Sequence, residues 1–190
     1  MASMIVKKDG SDPTAIELEI ARYLTSIQQV ADLRADLSRL FFQSAKEVVC
    51  GTKTCVLIYI PMKQMGEWKK VMLKVINELE KKLQGKIVFF IGNRTILPKE
   101  KKGAKHKRKG TQKRPQNRTL TAVYNAILAD ILFPASIIGK QTRFSLSGTS
   151  MTIFLSKSHQ NALENKLDTI SLLCRHLTGK KVGFQFDLDH

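Results

Sequence analysis

Residues Lys99 to Arg118 read KEKKGAKHKRKGTQKRPQNR, a stretch that no packed core can accept. Ten Lys and Arg stand against one acid, Glu100, a net +9 in twenty residues. The whole chain of 190 residues carries +16, so the other 170 share only +7. The stretch has no aromatic and no aliphatic side chain larger than Ala104. With nothing apolar to bury and charges that repel one another, it is expected to have no order of its own. It lies mid-chain, between segments that read as folded, where a long structureless insert is usually functional. The simplest partner for such dense positive charge is a polyphosphate backbone.

The remaining sequence can supply a core, since 43% of the chain is hydrophobic. A pI of about 9.9 falls in the range of nucleic-acid-binding domains. No run of about 18 apolar residues exists, so no transmembrane helix and no membrane partner are expected. The opening MASMIVKKDGSDP lacks an apolar core of signal-peptide length. Cys50, Cys55 and Cys174 are odd in number and fit a reducing compartment.

Apolar periodicity divides the chain into alternating elements. Asp12-Pro13 predicts a helix start, with Ile16, Ile20, Tyr23, Leu24 and Ile27 on one face. Asp32 predicts the cap of a short helix with Leu33, Leu37, Leu40 and Phe41 inward. A hairpin follows through Gly51-Thr52-Lys53, and the run Val56 to Ile60 reads as a strand covered on both faces. Met65, Trp68, Met72, Ile76, Leu79 and Leu83 repeat at helical spacing up to Gly85, and Ile87 to Ile91 is a buried strand. Beyond the basic segment, Thr119 predicts the cap of a helix ended by Pro134. Strands at 137–146 and 151–155 turn through Ser147-Gly148-Thr149. Ser158 predicts the cap of a long helix through Leu163, Leu167, Ile170, Leu173 and Leu177, and Val182, Phe184, Phe186 and Leu188 alternate as a last strand.

The reading is an α+β fold: mixed or antiparallel sheets packed with helices, in two similar helix-strand-strand-helix-strand halves joined by a long basic loop. One domain spans 1–190, with sub-parts 12–92, 93–118 and 119–190. Leu83-Gln84-Gly85-Lys86 matches the form of Leu177-Thr178-Gly179-Lys180. An internal duplication is one hypothesis for this; the commonness of helix–Gly–strand joints is another.

Chemistry-bearing constellations are sparse. Cys50 and Cys55 lack the second ligand pair that a zinc site needs, so a free-thiol pair or a cross-strand disulfide are the readings, with free thiols favoured. His106, His159, His176 and His190 form no metal pair, and no nucleophile-elbow, phosphate-loop or zinc-protease motif occurs. Glu78 and Lys82 read as an i, i+4 pair, and Trp68 and Cys174 as core. No catalytic set, metal site or cofactor is expected. The candidate RNA-binding residues are Lys99, Lys101, Lys102, Lys105, Lys107, Arg108, Lys109, Lys113, Arg114 and Arg118, with flanking Arg94 next. Without aromatics the segment has no stacking platform, so phosphates are its targets. Lys107-Arg108-Lys109 can also be read by a nuclear import receptor.

Asn77-Glu78-Leu79-Glu80-Lys81-Lys82-Leu83-Gln84-Gly85-Lys86 resembles the signature of the eukaryote-specific small-subunit (40S) ribosomal protein S-seven family, which is unrelated to the bacterial protein of that numeral. The resemblance continues through Ile96-Leu97-Pro98-Lys99, Lys113-Arg114-Pro115, Arg118-Thr119-Leu120-Thr121-Ala122-Val123, Phe133-Pro134, Ile138-Gly139-Lys140 and Leu177-Thr178-Gly179-Lys180. Asn77, Ile87, Thr95 and Gln116-Asn117 depart from the family's usual residues and remove a few possible RNA contacts. The resemblance implies a non-catalytic constituent of the small ribosomal subunit on the solvent side of its body and platform. It implies binding to small-subunit rRNA, neighbouring small-subunit proteins and assembly factors. It also implies a nucleolar assembly stage, a part in rRNA maturation, and a final cytoplasmic place in the ribosome. The competing classes are a free-standing RNA-binding regulator and a ribosome-assembly factor.

Overall fold

Five consecutive apolar residues, Val56 to Ile60, need cover on both faces, and strand β2 (Lys53–Pro61) finds it at the centre of the first sheet. The computed structural model describes residues 4–7, 10–29, 31–99, 114–146 and 148–186, without the side chains of Ala31 and Asp32. β1 (Ser44–Cys50) runs antiparallel to β2 through the two-residue turn Gly51-Thr52, with Cys50 opposite Lys53. Gly51 holds a φ of 64°, which a side chain would oppose. β3 (Ile87–Asn93) lies parallel on the other side, with Cys55 opposite Ile87. A parallel neighbour requires a crossover, and helix α3 (Met65–Lys82) provides it.

Alternation along β2 sends its side chains into two different cores. Val56, Ile58 and Ile60 join the first, with α1 (Ala15–Gln28), α2 (Ala31–Leu37) and α3. There Trp68 of α3, fully buried, lies against Phe90 of β3 with ring centroids 5.1 Å apart. Cys55 and Leu57 join the second core, built largely by the other half of the chain. That half contributes α4 (Leu120–Ile131), β4 (Ile137–Ser145), β5 (Gly148–Leu155), the single turn α5 (Gln160–Leu163), α6 (Leu167–Thr178) and β6 (Lys181–Phe186). α4 packs on β3, and α6 packs on β1.

The second sheet repeats the first. Its order is β4-β5-β6, with β5 antiparallel to β4 and parallel to β6. The fold is α+β with two three-stranded mixed sheets, as the sequence indicates; the halves share strand order and strand direction, while two helices precede the first sheet and one precedes the second. Lys166 ties them at the surface, donating to both oxygens of Glu80 at 2.7 and 2.9 Å. No helix among the described residues is long and apolar enough to cross a membrane.

Several local expectations change. Thr14, not Asp12, is the N-cap of α1, because Glu17 reaches back to accept from the Thr14 N–H at 2.8 Å. Asp32 lies inside α2, which starts at Ala31. Phe42 rather than Phe41 is fully buried, where the chain bridges to Ile5. The long helix after Ser158 is interrupted: 3₁₀ turns at Lys157–His159 and Glu164–Lys166 flank α5, and the continuous helix starts at Leu167. Four-residue apolar spacing at Leu163 and Leu167 survives the interruption, which is why periodicity alone joined the two pieces. Glu78 pairs with Lys81 at 2.8 Å, while Lys82 turns to the Ser26 hydroxyl. Leu188 and Ser147 lie outside the described residues.

Glu17, 3% exposed, joins three segments. Its carboxylate accepts from the Lys7 ammonium at 2.8 Å, the Thr14 N–H, and the Ala45 N–H of β1 at 3.2 Å. Burial alone would raise this carboxyl, but the donors outweigh it and hold the group below its ordinary value of 4.5. A depressed folded-state value contributes stability above pH 4.5 that disappears as pH falls through the lower folded value. Glu17→Gln is expected to cost about 1.5–3 kcal/mol at pH 7. In thermal melts the gap from the parent should close on acidification below pH 4.5; a constant gap would show that ionisation of Glu17 is not what stabilises the junction.

Candidate nucleic-acid interface

The chain leaves the first sheet at Asn93 and re-enters the fold at α4, and hydrogen bonds join the exit to the return. The Leu97 N–H donates to the Arg118 carbonyl at 3.0 Å, and the Arg114 Nη1 donates to the Leu97 carbonyl at 2.9 Å. On the return side Pro115 precedes a 3₁₀ turn, Gln116–Arg118. Thr119 bonds the Gln116 carbonyl through its hydroxyl at 2.7 Å and caps α4 by accepting from the Ala122 N–H at 3.4 Å. The basic segment is therefore a loop closed at its base.

Beneath this stem lies a buried ion pair. Asp130 of α4, 5% exposed, accepts from the guanidinium of Arg94 and from the Gly92 N–H at 3.1 Å. Arg94 also donates to the Gly92 carbonyl. A Cβ at Gly92 would stand 2.6 Å from the Met62 sulfur and 3.0 Å from the Arg94 Nη1, so those side chains would have to shift to admit one. Asn93 adds a bond to the Gln43 side chain at 2.6 Å. The exit of β3, the body of α4 and the lead-in to β1 are thus pinned together directly under the loop.

Of the candidate RNA contacts, the structure describes four. Lys99 and Arg118 are exposed. Arg114 is half-buried and spends one donor on the stem. Arg94 is committed to Asp130, an internal role that its position in a basic run conceals. Lys101, Lys102, Lys105, Lys107, Arg108, Lys109 and Lys113 lie outside the described residues. Asp130 escaped the sequence reading, yet it carries a signal: a lone carboxylate within the apolar run Ala126-Ile127-Leu128-Ala129-Asp130-Ile131 needs a buried cation.

The cysteines are free thiols. Cys50 opposes Lys53 and Cys55 opposes Val48, so the two thiols sit diagonally on one face of the hairpin. All three cysteines belong to the second core. Burial, with the neighbouring Cys50 second, pushes the Cys55 and Cys174 thiols up to about 12, so they stay protonated and poorly nucleophilic at neutral pH. Among the described residues no group of three or more His, Cys, Asp or Glu could hold a metal ion.

Removing one partner of a buried pair leaves the other charged and desolvated, at a cost of about 3–5 kcal/mol. Asp130→Ala should lower stability by that amount in denaturant titrations, because it strands Arg94 and the Gly92 N–H together. Arg94→Ala combined with Asp130→Ala should cost clearly less than the two singles added; strict additivity would show that the pair is not coupled.

Comparison with known proteins gives one consistent family. A model of Ribosomal protein S7e matches residues 4–186. A protein of Spodoptera frugiperda, "Small ribosomal subunit protein eS7", is 40% identical over 98% of this chain and 97% of its own. Its namesake in Drosophila yakuba is 42% identical over 98% and 95%, and that of Candida albicans is 37% identical over 97% of each. The match spans nearly the whole chain, and on it the chain belongs to the ribosomal protein S7e family.

Proposed function

We propose that this protein is a structural constituent of the eukaryotic small ribosomal subunit that binds small-subunit rRNA through its basic loop. The observation that carries the reading is the clamped stem, Leu97 with Arg114 and Arg118, at the base of a segment (residues 99–118) of net charge +9, in a chain similar along nearly its whole length to small-subunit proteins. A phosphate-binding element gains by being held at both ends, since less conformational freedom remains to be lost when it docks. The loop then acts by neutralising phosphates, and Lys99, Lys101, Lys102, Lys105, Lys107, Arg108, Lys109, Lys113, Arg114 and Arg118 supply the charge. Arg94 serves the same surface indirectly, by fixing α4 against β3 below the stem.

The globular part docks against neighbouring small-subunit proteins and folded rRNA, and the protein works without catalysing a reaction. It joins the subunit precursor with assembly factors at a nucleolar stage, supports rRNA maturation, and remains with the cytoplasmic ribosome during translation.

Sedimentation of a cell extract tests this reading. The protein should travel with small subunits; confinement to the light fractions would favour a free RNA-binding regulator or an assembly factor. Replacing Lys107, Arg108 and Lys109 by Gln should reduce incorporation while the isolated protein keeps its unfolding transition, because three cationic side chains in a run without large apolar residues contribute no apolar burial. In vitro, neutralisation of about eight phosphates predicts a slope of log affinity against log salt near −6 to −7 for the parent. A flat dependence would contradict phosphate contact.

A further inference from the structure

The hairpin β4–β5 projects from the fold. From Lys140 to Leu146 every residue is exposed, as are Gly148, Thr149 and Ser150 on the returning strand. At the tip Phe144 is 83% exposed and Leu146 fully so. Large apolar side chains grouped at the end of a projecting element mark a binding surface rather than scattered exposure. Their cross-strand neighbours are small, with Phe144 opposite Thr149 and Arg143 opposite Ser150, so the tip is a thin wedge.

Charge indicates what the wedge meets. Between Asp130 and Glu164 there is no acidic residue, while Lys140, Arg143 and Lys157 are basic. At the foot of the hairpin a cleft of about 680 Å³ opens between α4 and β4, lined by Lys69, Asn125, Phe133, Ile138 and Lys140 among others, none of them acidic. Lys69 stands 6.0 Å from the centre of the Phe133 ring. Lys140 donates to the Asn125 side chain at 3.0 Å, and no carboxylate among the described residues pairs with it. Although the residue as a whole is exposed, partial desolvation of its ammonium lowers its affinity for the proton. The cleft and the loop base share α4. Exposed Thr121, Asn125 and Ala129 form an uncharged stripe along it, about 15 Å from Thr119 to the cleft.

We propose that the β4–β5 hairpin and the Lys69–Lys140 cleft form a second RNA-binding surface, in which Phe144 stacks on an unpaired base and Lys140, on the same face of the strand, takes phosphates with Lys69. The proposal rests on the RNA-binding reading of the loop and supplies what the loop lacks, an aromatic platform. A protein occupant would satisfy the apolar tip but needs its own carboxylates to pair the cleft ammonium groups; RNA supplies stacking and anions in one strand.

The test uses the full chain with a fluorescently labelled RNA stem-loop carrying an unpaired adenosine loop as probe. Trp68 is the chain's one Trp and is fully buried, so Phe144→Trp adds a single exposed reporter. Its emission should be quenched as anisotropy reports RNA binding, and again when Lys107, Arg108 and Lys109 are replaced by Gln. Phe144→Ser should weaken binding about 5- to 150-fold, the loss of one stacked base. Lys140→Gln should reduce the salt slope by about one. RNA binding with unchanged emission overturns the hairpin assignment and leaves the loop reading standing. An emission change on adding RNA-free small-subunit proteins, with none on adding RNA, assigns the tip to a protein partner and also overturns it. No anisotropy change at all, in parent or variants, overturns both readings.

Discussion

Burial of β2 on both faces is the constraint from which the architecture follows. A strand with Val56, Ile58 and Ile60 on one side and Cys55 and Leu57 on the other cannot be served by one layer of helices. The first half of the chain covers one face with α1, α2 and α3. Covering the other takes α4, α6 and the inner face of the second sheet. Two topologically similar halves therefore meet across a shared wall instead of sitting side by side. The Lys166–Glu80 pair is a surface accompaniment to that union, worth little beside the buried apolar area.

The same wall explains where the basic loop emerges. β3 is the edge of the first sheet on which α4 packs, and the loop connects the end of the one to the start of the other. A charged insert at a junction between two packed elements needs the junction locked. The Arg94–Asp130 pair and the Leu97–Arg118 bond perform that task at two levels, one buried and one at the surface. Charge is thus used in two ways among the described residues of this stretch: Arg94 is neutralised inside the fold, while Lys99 and Arg118 are exposed.

How much of this the sequence disclosed depended on whether a signal was local. Fold class, the two-sided burial of Val56–Ile60, the cap at Thr119 and the Gly51 turn follow from periodicity and backbone chemistry within a few residues, and the structure has them. The α1 cap moved from Asp12 to Thr14 because the competing signal, Glu17 reaching back, also binds distant Ala45. The broken helix at Glu164–Lys166 kept its apolar spacing and so left no trace in the pattern. For the candidate interface, the basic run was plain but its closure was not. The Leu97 and Arg118 groups that seal it are backbone atoms, which composition cannot distinguish, and Arg94 looked like its neighbours until Asp130 appeared beside it. The exposed hairpin tip was read as an ordinary strand pair, since alternation does not tell whether anything lies on either side.

Closure at the stem has a topological consequence. A free tail can be drawn end-first through an opening that already exists. A segment whose two ends are held together by Leu97 and Arg118 can enter an opening only doubled, as a bight, so the opening has to admit two strands of chain at once. The stem thereby sets a minimum width for any opening that receives the segment, a requirement that the charges alone do not impose.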